Sequence, residues 1–163
     1  MTAAMHQVLE NYPLWASIIA IALAQFLKVL WNYALHRVWD WNWLINTGSM
    51  PSGHTAAVTS LATAVGLQEG WDSPAFAITT ILAIIVMYDA TGVRRHAGMQ
   101  AQVLNRLMED FTQLLAEIRR NKINPPQAGV KLKEILGHQP IEVFTGAWFG
   151  IFISLLVYWL WFK

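Results

Sequence analysis

Residues 14–35 read LWASIIAIALAQFLKVLWNYAL, an apolar run with one charge, Lys28, in its latter part. As a helix the run is long enough to cross the roughly 30 Å hydrocarbon core of a bilayer, and this decides the class of fold. The rest of the chain agrees. Its 163 residues are 55% hydrophobic and 13% charged, with mean hydropathy +0.37, whereas an average soluble domain carries about 25% charged residues. Lys28 is costly at that depth and so marks a functional site, unless its stem snorkels the ammonium out to the headgroups.

Three further apolar segments follow, at about 54–67, 74–88 and 141–162. The first is short and rich in Ala, Thr and Gly, as suits a helix packed closely against others. The expectation is an all-α integral membrane bundle of about four transmembrane helices, with residues 1–163 forming a single membrane-embedded domain. Between the last two segments, Leu104, Leu107, Phe111, Leu114 and Ile118 recur at spacings of three and four, with Met108 and Leu115 beside them. That pattern predicts an amphipathic helix over 97–120, with Asn105, Arg106, Glu109, Asp110, Gln113 and Glu117 on its polar side. It lies in a cytoplasmic insertion of about 94–137, and Asn124-Pro125-Pro126 stops it.

Charge placement gives the orientation. Eight of the eleven Lys and Arg residues lie between Arg94 and Lys133, and the 69–72 link is acidic. The positive-inside rule puts the connection between the third and fourth segments in the cytoplasm. With four spans, the connection between the first and second segments shares that side. His36, Arg37 and the loop Met50-Pro51-Ser52-Gly53-His54 then face Arg94, Arg95 and His138. Trp39, Trp41 and Trp43 on one side, with Trp159 and Trp161 near the other end, read as headgroup anchors. A net charge of +1 gives no reason to expect nucleic acid as a partner, and the absence of Cys excludes disulfides and thiolate chemistry. The first thirteen residues have no basic stretch and include Glu10, unlike a cleavable signal.

Several residues on that face suit phosphate chemistry. Ser52 and Gly53 offer backbone N–H groups to an oxyanion, Pro51 stiffens the entry, and His54 can move a proton near neutral pH. In a soluble chain the same string would read as an ordinary turn. Arg94 and Arg95 can hold a phosphate bidentately, or can simply be the basic flank of a span with Asp89 as ion-pair partner. Glu142 falls one helical turn after His138. It could fix one imidazole nitrogen and free the other as nucleophile or base, or could serve the start of the last helix, with Pro140 at its first position. His6, His36, His54, His96 and His138 form no His-x3-His pair, so no metal site and no cofactor is expected.

Lys28, Pro51-Ser52-Gly53-His54, an Arg group and a His-x3-acid together resemble the phosphatidic acid phosphatase type 2 superfamily. The blocks 48–56, 88–95 and 136–143 look like its divergent bacterial and plastid branch, over about residues 25–150. The resemblance implies a helical membrane enzyme that hydrolyses phosphomonoesters or diphosphates without a metal. By position His138 would be the nucleophile, Glu142 its orienting acid and His54 the general acid. Lys28, Ser52, Gly53, Arg94 and Arg95 would surround the phosphate, with Asp89, His96 and Arg37 as further candidates. The chain departs from the superfamily pattern in three ways. Seven residues after Lys28 stand Leu35-His36 rather than Arg-Pro, the Arg pair is far from His138 in sequence, and the acid is Glu rather than Asp. His96, beside Arg95, is a rival nucleophile.

These readings lead to a cytoplasm-facing phosphatase in a bacterial inner or plastid-type membrane. Its substrate would be a phosphatidylglycerophosphate-like or prenyl diphosphate-like lipid, and a homo-oligomer is compatible with the chain. The alternative is a non-catalytic membrane protein that binds lipid phosphate or a partner through the amphipathic helix.

Overall fold

Every fourth residue along the first long helix is buried: Tyr12, Ala16, Ala20, Ala24, Lys28 and Asn32. Four-residue spacing places these side chains above one another on one face. The stripe runs from an aromatic anchor through three alanines to two polar groups. In a computed structural model, which describes residues 3–37, 39, 50–119 and 138–163, it is the inner face of α2 (Tyr12–His36). The side chain of Asn11 caps the start of α2 by accepting from the Leu14 N–H at 3.1 Å. Arg37 closes its other end in the left-handed region (φ 56°), with its N–H donating to the Tyr33 carbonyl at 2.8 Å.

Six helices make up the described residues. They are α1 (Ala3–Leu9), α2, α3 (Gly53–Glu69), α4 (Pro74–Thr91), α5 (Val93–Arg119) and α6 (Pro140–Trp161). The fold is an all-α membrane helical bundle, and three stretches, in α2, from α4 onward and in α6, are long and apolar enough to cross a membrane. The shorter α3 sits at the centre and packs against α2, α4 and α6. Its buried residues are all small or medium: Gly53, Thr55, Ala56, Thr59, Ser60, Ala62, Ala64, Val65 and Gly66. Lipid tails are as apolar as Leu, so helices in a bilayer associate through close packing of small residues rather than through hydrophobic exclusion. Gly146 and Gly150 of α6 supply the facing notch. A Cβ on Gly146 would come within 2.7 Å of the Ser52 carbonyl oxygen. One on Gly150 would overlap the Ala56 carbonyl oxygen and Thr59 Oγ1.

In chain order α2, α3, α4 and α6 alternate in direction: the starts of α3 and α6 meet at Ser52 and Glu142, and the end of α4 meets the start of α6 at Ala90 and His138. At one end the Tyr12 hydroxyl donates to the Ser154 carbonyl at 2.9 Å, and the Tyr12 ring meets Tyr158 edge-on at 5.6 Å. At that end, too, the Trp71 ring lies over Gly66. The outer faces of α4 and α6 carry exposed Ile78, Ile81, Ile85, Phe144, Phe152 and Leu160, as a lipid-facing surface requires.

The four apolar segments become α2, α3, α4 and α6, each within a few residues of its expected bounds. Neither α1 nor the start of α5 directly after Gly92 was expected. Asn105 of α5, expected on the polar side, is turned inward. Ala101 and Asn105 are buried, while Leu104, Leu107, Met108, Phe111 and Leu114 are exposed. The periodicity gave the helix, but the small face is the one turned inward. Trp41, Trp43, Asn124-Pro125-Pro126 and the basic segment 131–136 lie outside the described residues.

Candidate active site

The second end of the bundle gathers the C-terminal parts of α2 and α4 and the N-termini of α3 and α6. Ser52 begins α3 as its N-cap. Its Oγ accepts from the Thr55 N–H at 3.4 Å and the Thr55 hydroxyl at 3.1 Å, and its carbonyl accepts from the Ala56 N–H at 3.0 Å. The Ser52 N–H donates to the Glu142 carbonyl at 3.0 Å, which pins the loop to α6. The Ser52 side chain is therefore fully buried and engaged in capping. Gly53 and His54, the first two residues of α3, hold N–H groups that a helix leaves without intrahelical partners, at its positive end. The His54 side chain is exposed.

His138 arrives from the other direction. Its N–H donates to the Ala90 carbonyl at 3.0 Å, which ties the entry of α6 to the end of α4. Its ring is 4% exposed, and among the described residues neither ring nitrogen has a hydrogen-bond partner. The rings of His54 and His138 stand edge-to-face with centroids 6.5 Å apart. Burial pushes the His138 imidazole down from 6.5 to about 4, with Lys28, His54 and Arg94 adding repulsion of the charged form. At neutral pH its ring is therefore uncharged, with a lone pair available.

Two fixed cations complete the cluster. Lys28 is 1% exposed on the inner stripe of α2, so its ammonium does not snorkel outward, and it lies within electrostatic reach of Glu142 and both histidines. The Arg94 Nε pairs with Asp89, which leaves both terminal amino groups of the guanidinium able to donate elsewhere. Arg94 and Asp89 both act on His54.

The Glu142 carboxylate accepts from the Gln139 N–H at 2.9 Å, closing a capping box at the start of α6. No bond from it to the His138 ring is present among the described residues. The His138 ring is instead held by burial and by its backbone tie to Ala90. Arg95 and His96 are exposed on α5, and His96 lines a separate groove with Met99, Gln100 and Leu104. Arg37 is exposed at the end of α2. Among the described residues no three His, Asp or Glu side chains converge as metal ligands would.

The structure thus brings Lys28, Ser52, Gly53, His54, Asp89, Arg94, His138 and Glu142 to one end of the bundle. The sequence reading missed what positions them: the fourfold stripe of α2, which continues into Asn32, and the Gly146-x3-Gly150 notch. Both are visible as small-residue spacings. The cluster offers two imidazoles, two basic side chains and helix-terminal amides, an assembly suited to an oxyanion.

Residues 9–153 match the family described as "Divergent PAP2 family". The chain is 48% identical over 152 residues to "Uncharacterized membrane protein YuiD" of Bacillus subtilis (strain 168). That similarity covers 93% of this chain and 96% of the relative. No solved structure matches the chain.

Proposed function

The chain belongs to the Divergent PAP2 family, and from that membership and the geometry of the cluster we propose that it is a membrane lipid phosphatase working through a phosphohistidine. The observation that carries the reading is the His54–His138 pair. The two rings stand edge-to-face with centroids 6.5 Å apart, close enough for both to reach a single phosphoryl group placed beside them. A nitrogen of His138 attacks phosphorus as the bond to the lipid oxygen breaks, and protonated His54 delivers its proton to that oxygen. Water then attacks the phosphohistidine, the P–N bond breaks, and the water's proton returns to His54. Lys28, Arg94 and the Gly53 and His54 N–H groups hold the other phosphoryl oxygens, as phosphoryl transfer demands charge stabilisation and positioning above all. The substrate is a lipid phosphomonoester or diphosphate, of phosphatidylglycerophosphate or prenyl diphosphate type, presented at the cytoplasmic face.

One observation favours a second reading, a non-catalytic protein that binds lipid phosphate. The carboxylate expected to orient the nucleophile is engaged in the helix cap. Phosphate release from a panel of lipid phosphates in detergent, with vanadate as inhibitor, separates the two readings. Vanadate-sensitive release that is abolished in His138→Ala, with folding retained, supports the enzyme. Binding without release across the panel supports the alternative.

A further inference from the structure

On the outer side of the seam between α2 and α6 lies an apolar groove of about 450 Å³, walled by Leu27, Leu30, Trp31 and Ala34 of α2, by Pro51 and by Thr145. Thr145 is polar in name only, because its hydroxyl donates to the Ile141 and Glu142 carbonyls at 2.9 and 3.1 Å. Its methyl group is what it can offer a ligand. The groove therefore suits hydrocarbon and has little to offer a polar solute. Leu27, Leu30 and Trp31 are each more than a third exposed on a helix apolar enough to cross a membrane, so the groove opens toward lipid.

The groove also adjoins the candidate phosphate cluster. Leu27 is the sequence neighbour of Lys28 and lies at the same depth, within about 1.5 Å along the helix axis. Pro51 precedes Ser52, whose N–H is held on Glu142, and Thr145 precedes Gly146, against which Ser52 rests. The short Pro51-Ser52 segment is thus shared, with hydrocarbon-lined space against Pro51 and the N-terminus of α3 beginning just after Ser52. A second groove of about 460 Å³, along Ala77, Ile78, Ile81, Leu82 and Ile85, is equally apolar but belongs to α4 alone. Its nearest residue, Ile85, is four residues from Asp89, roughly 6 Å along the helix, so this groove lies farther from the cluster than Leu27 lies from Lys28.

We propose that the α2–α6 groove seats one hydrocarbon chain of the lipid whose phosphate occupies the cluster of Lys28, His54, Arg94 and His138. The proposal rests on the reading of that cluster as a phosphate site. A volume of about 450 Å³ lies in the lower part of the usual range for small-ligand pockets, about 300–1,000 Å³, which fits one chain. Any second chain stays in the bilayer.

The test is photocrosslinking of the full chain in nanodiscs with an alkyl monophosphate carrying a mid-chain diazirine, beside the matching alkyl alcohol. The phosphate probe should label the 27–34 stretch roughly tenfold more than the alcohol does, the factor that about 1.4 kcal/mol of phosphate anchoring would confer. Unlabelled alkyl phosphate should compete this labelling away, whereas the α4 groove should take both probes equally. Ala34→Trp, which fills the groove from an exposed position, should remove labelling of α2 and leave that of α4 unchanged, the latter serving as the folding control. Equal labelling of α2 by both probes overturns the proposal, as does phosphate-dependent labelling confined to other helices. Because labelling needs no turnover, phosphate-dependent labelling without phosphate release sinks the enzyme reading alone. Release with phosphate-independent labelling sinks the groove alone.

Discussion

His138 carries the chemical argument at the scale of single residues, and its environment makes a pH prediction. Its folded value of about 4 lies below the ordinary 6.5, so between those values the unfolded chain binds the proton more readily. The stability this contributes is fully present above pH 6.5 and is lost as pH falls through that window toward 4. Replacing His138 with Asn should flatten that part of the stability curve, measured as thermal midpoint against pH. For catalysis, the acid limb of kcat/KM should sit below the normal imidazole range, since that profile reports the free enzyme's essential groups. Lys28→Met keeps most of the apolar stem and removes the charge. It should lower kcat/KM by roughly 10²-fold, the scale for loss of one stabilising group, while the protein still folds. Unchanged phosphate release in that variant would return Lys28 to a structural role. The residue types were legible in the sequence because His, Arg and an intramembrane Lys are expensive or reactive wherever they fall. The role of Glu142 was not, because one spacing serves both a helix cap and an imidazole contact, and only the hydrogen bond to Gln139 distinguishes them.

At the scale of helices, the bundle depends on small residues rather than on large apolar ones. Gly150→Leu forces side-chain atoms into the Ala56 carbonyl and Thr59. It should destabilise the protein by about 1–3 kcal/mol, the usual cost of overpacking, read as a lowered thermal midpoint in detergent. Phe152→Leu, on the exposed face of the same helix, should shift the midpoint little. The long helices were legible because a bilayer fixes their length and polarity. The orientation of α5 was not. Periodicity groups Leu104, Leu107 and Phe111 on one face, but it does not say whether that face or the one with Ala101 and Asn105 meets the rest of the protein. A seven-residue α1 lies below the length at which periodicity carries information.

At the scale of the whole molecule, alternating helix directions bring residues 28, 54, 94 and 138 to one end, far apart though they are in sequence. That convergence was legible because span count and charge bias constrain which loops share a side. The packing that brings the two histidines together was not, since it depends on the Gly146 and Gly150 notch. The proposed cytoplasmic orientation has a direct check, because the chain contains no Cys. A single Gln68→Cys in intact cells should react with an impermeant maleimide from outside, and Gln100→Cys should react only after lysis. The reverse pattern would turn the site outward. Capture of the covalent intermediate tests directly whether His138 is the nucleophile. Purified protein turning over a lipid phosphate is quenched at alkaline pH, and its peptides are mapped for phosphohistidine. A phosphoryl group should appear on His138 and be absent in His138→Asn. Sustained phosphate release with no such adduct, or with the phosphoryl group on His54 or His96, would contradict that assignment.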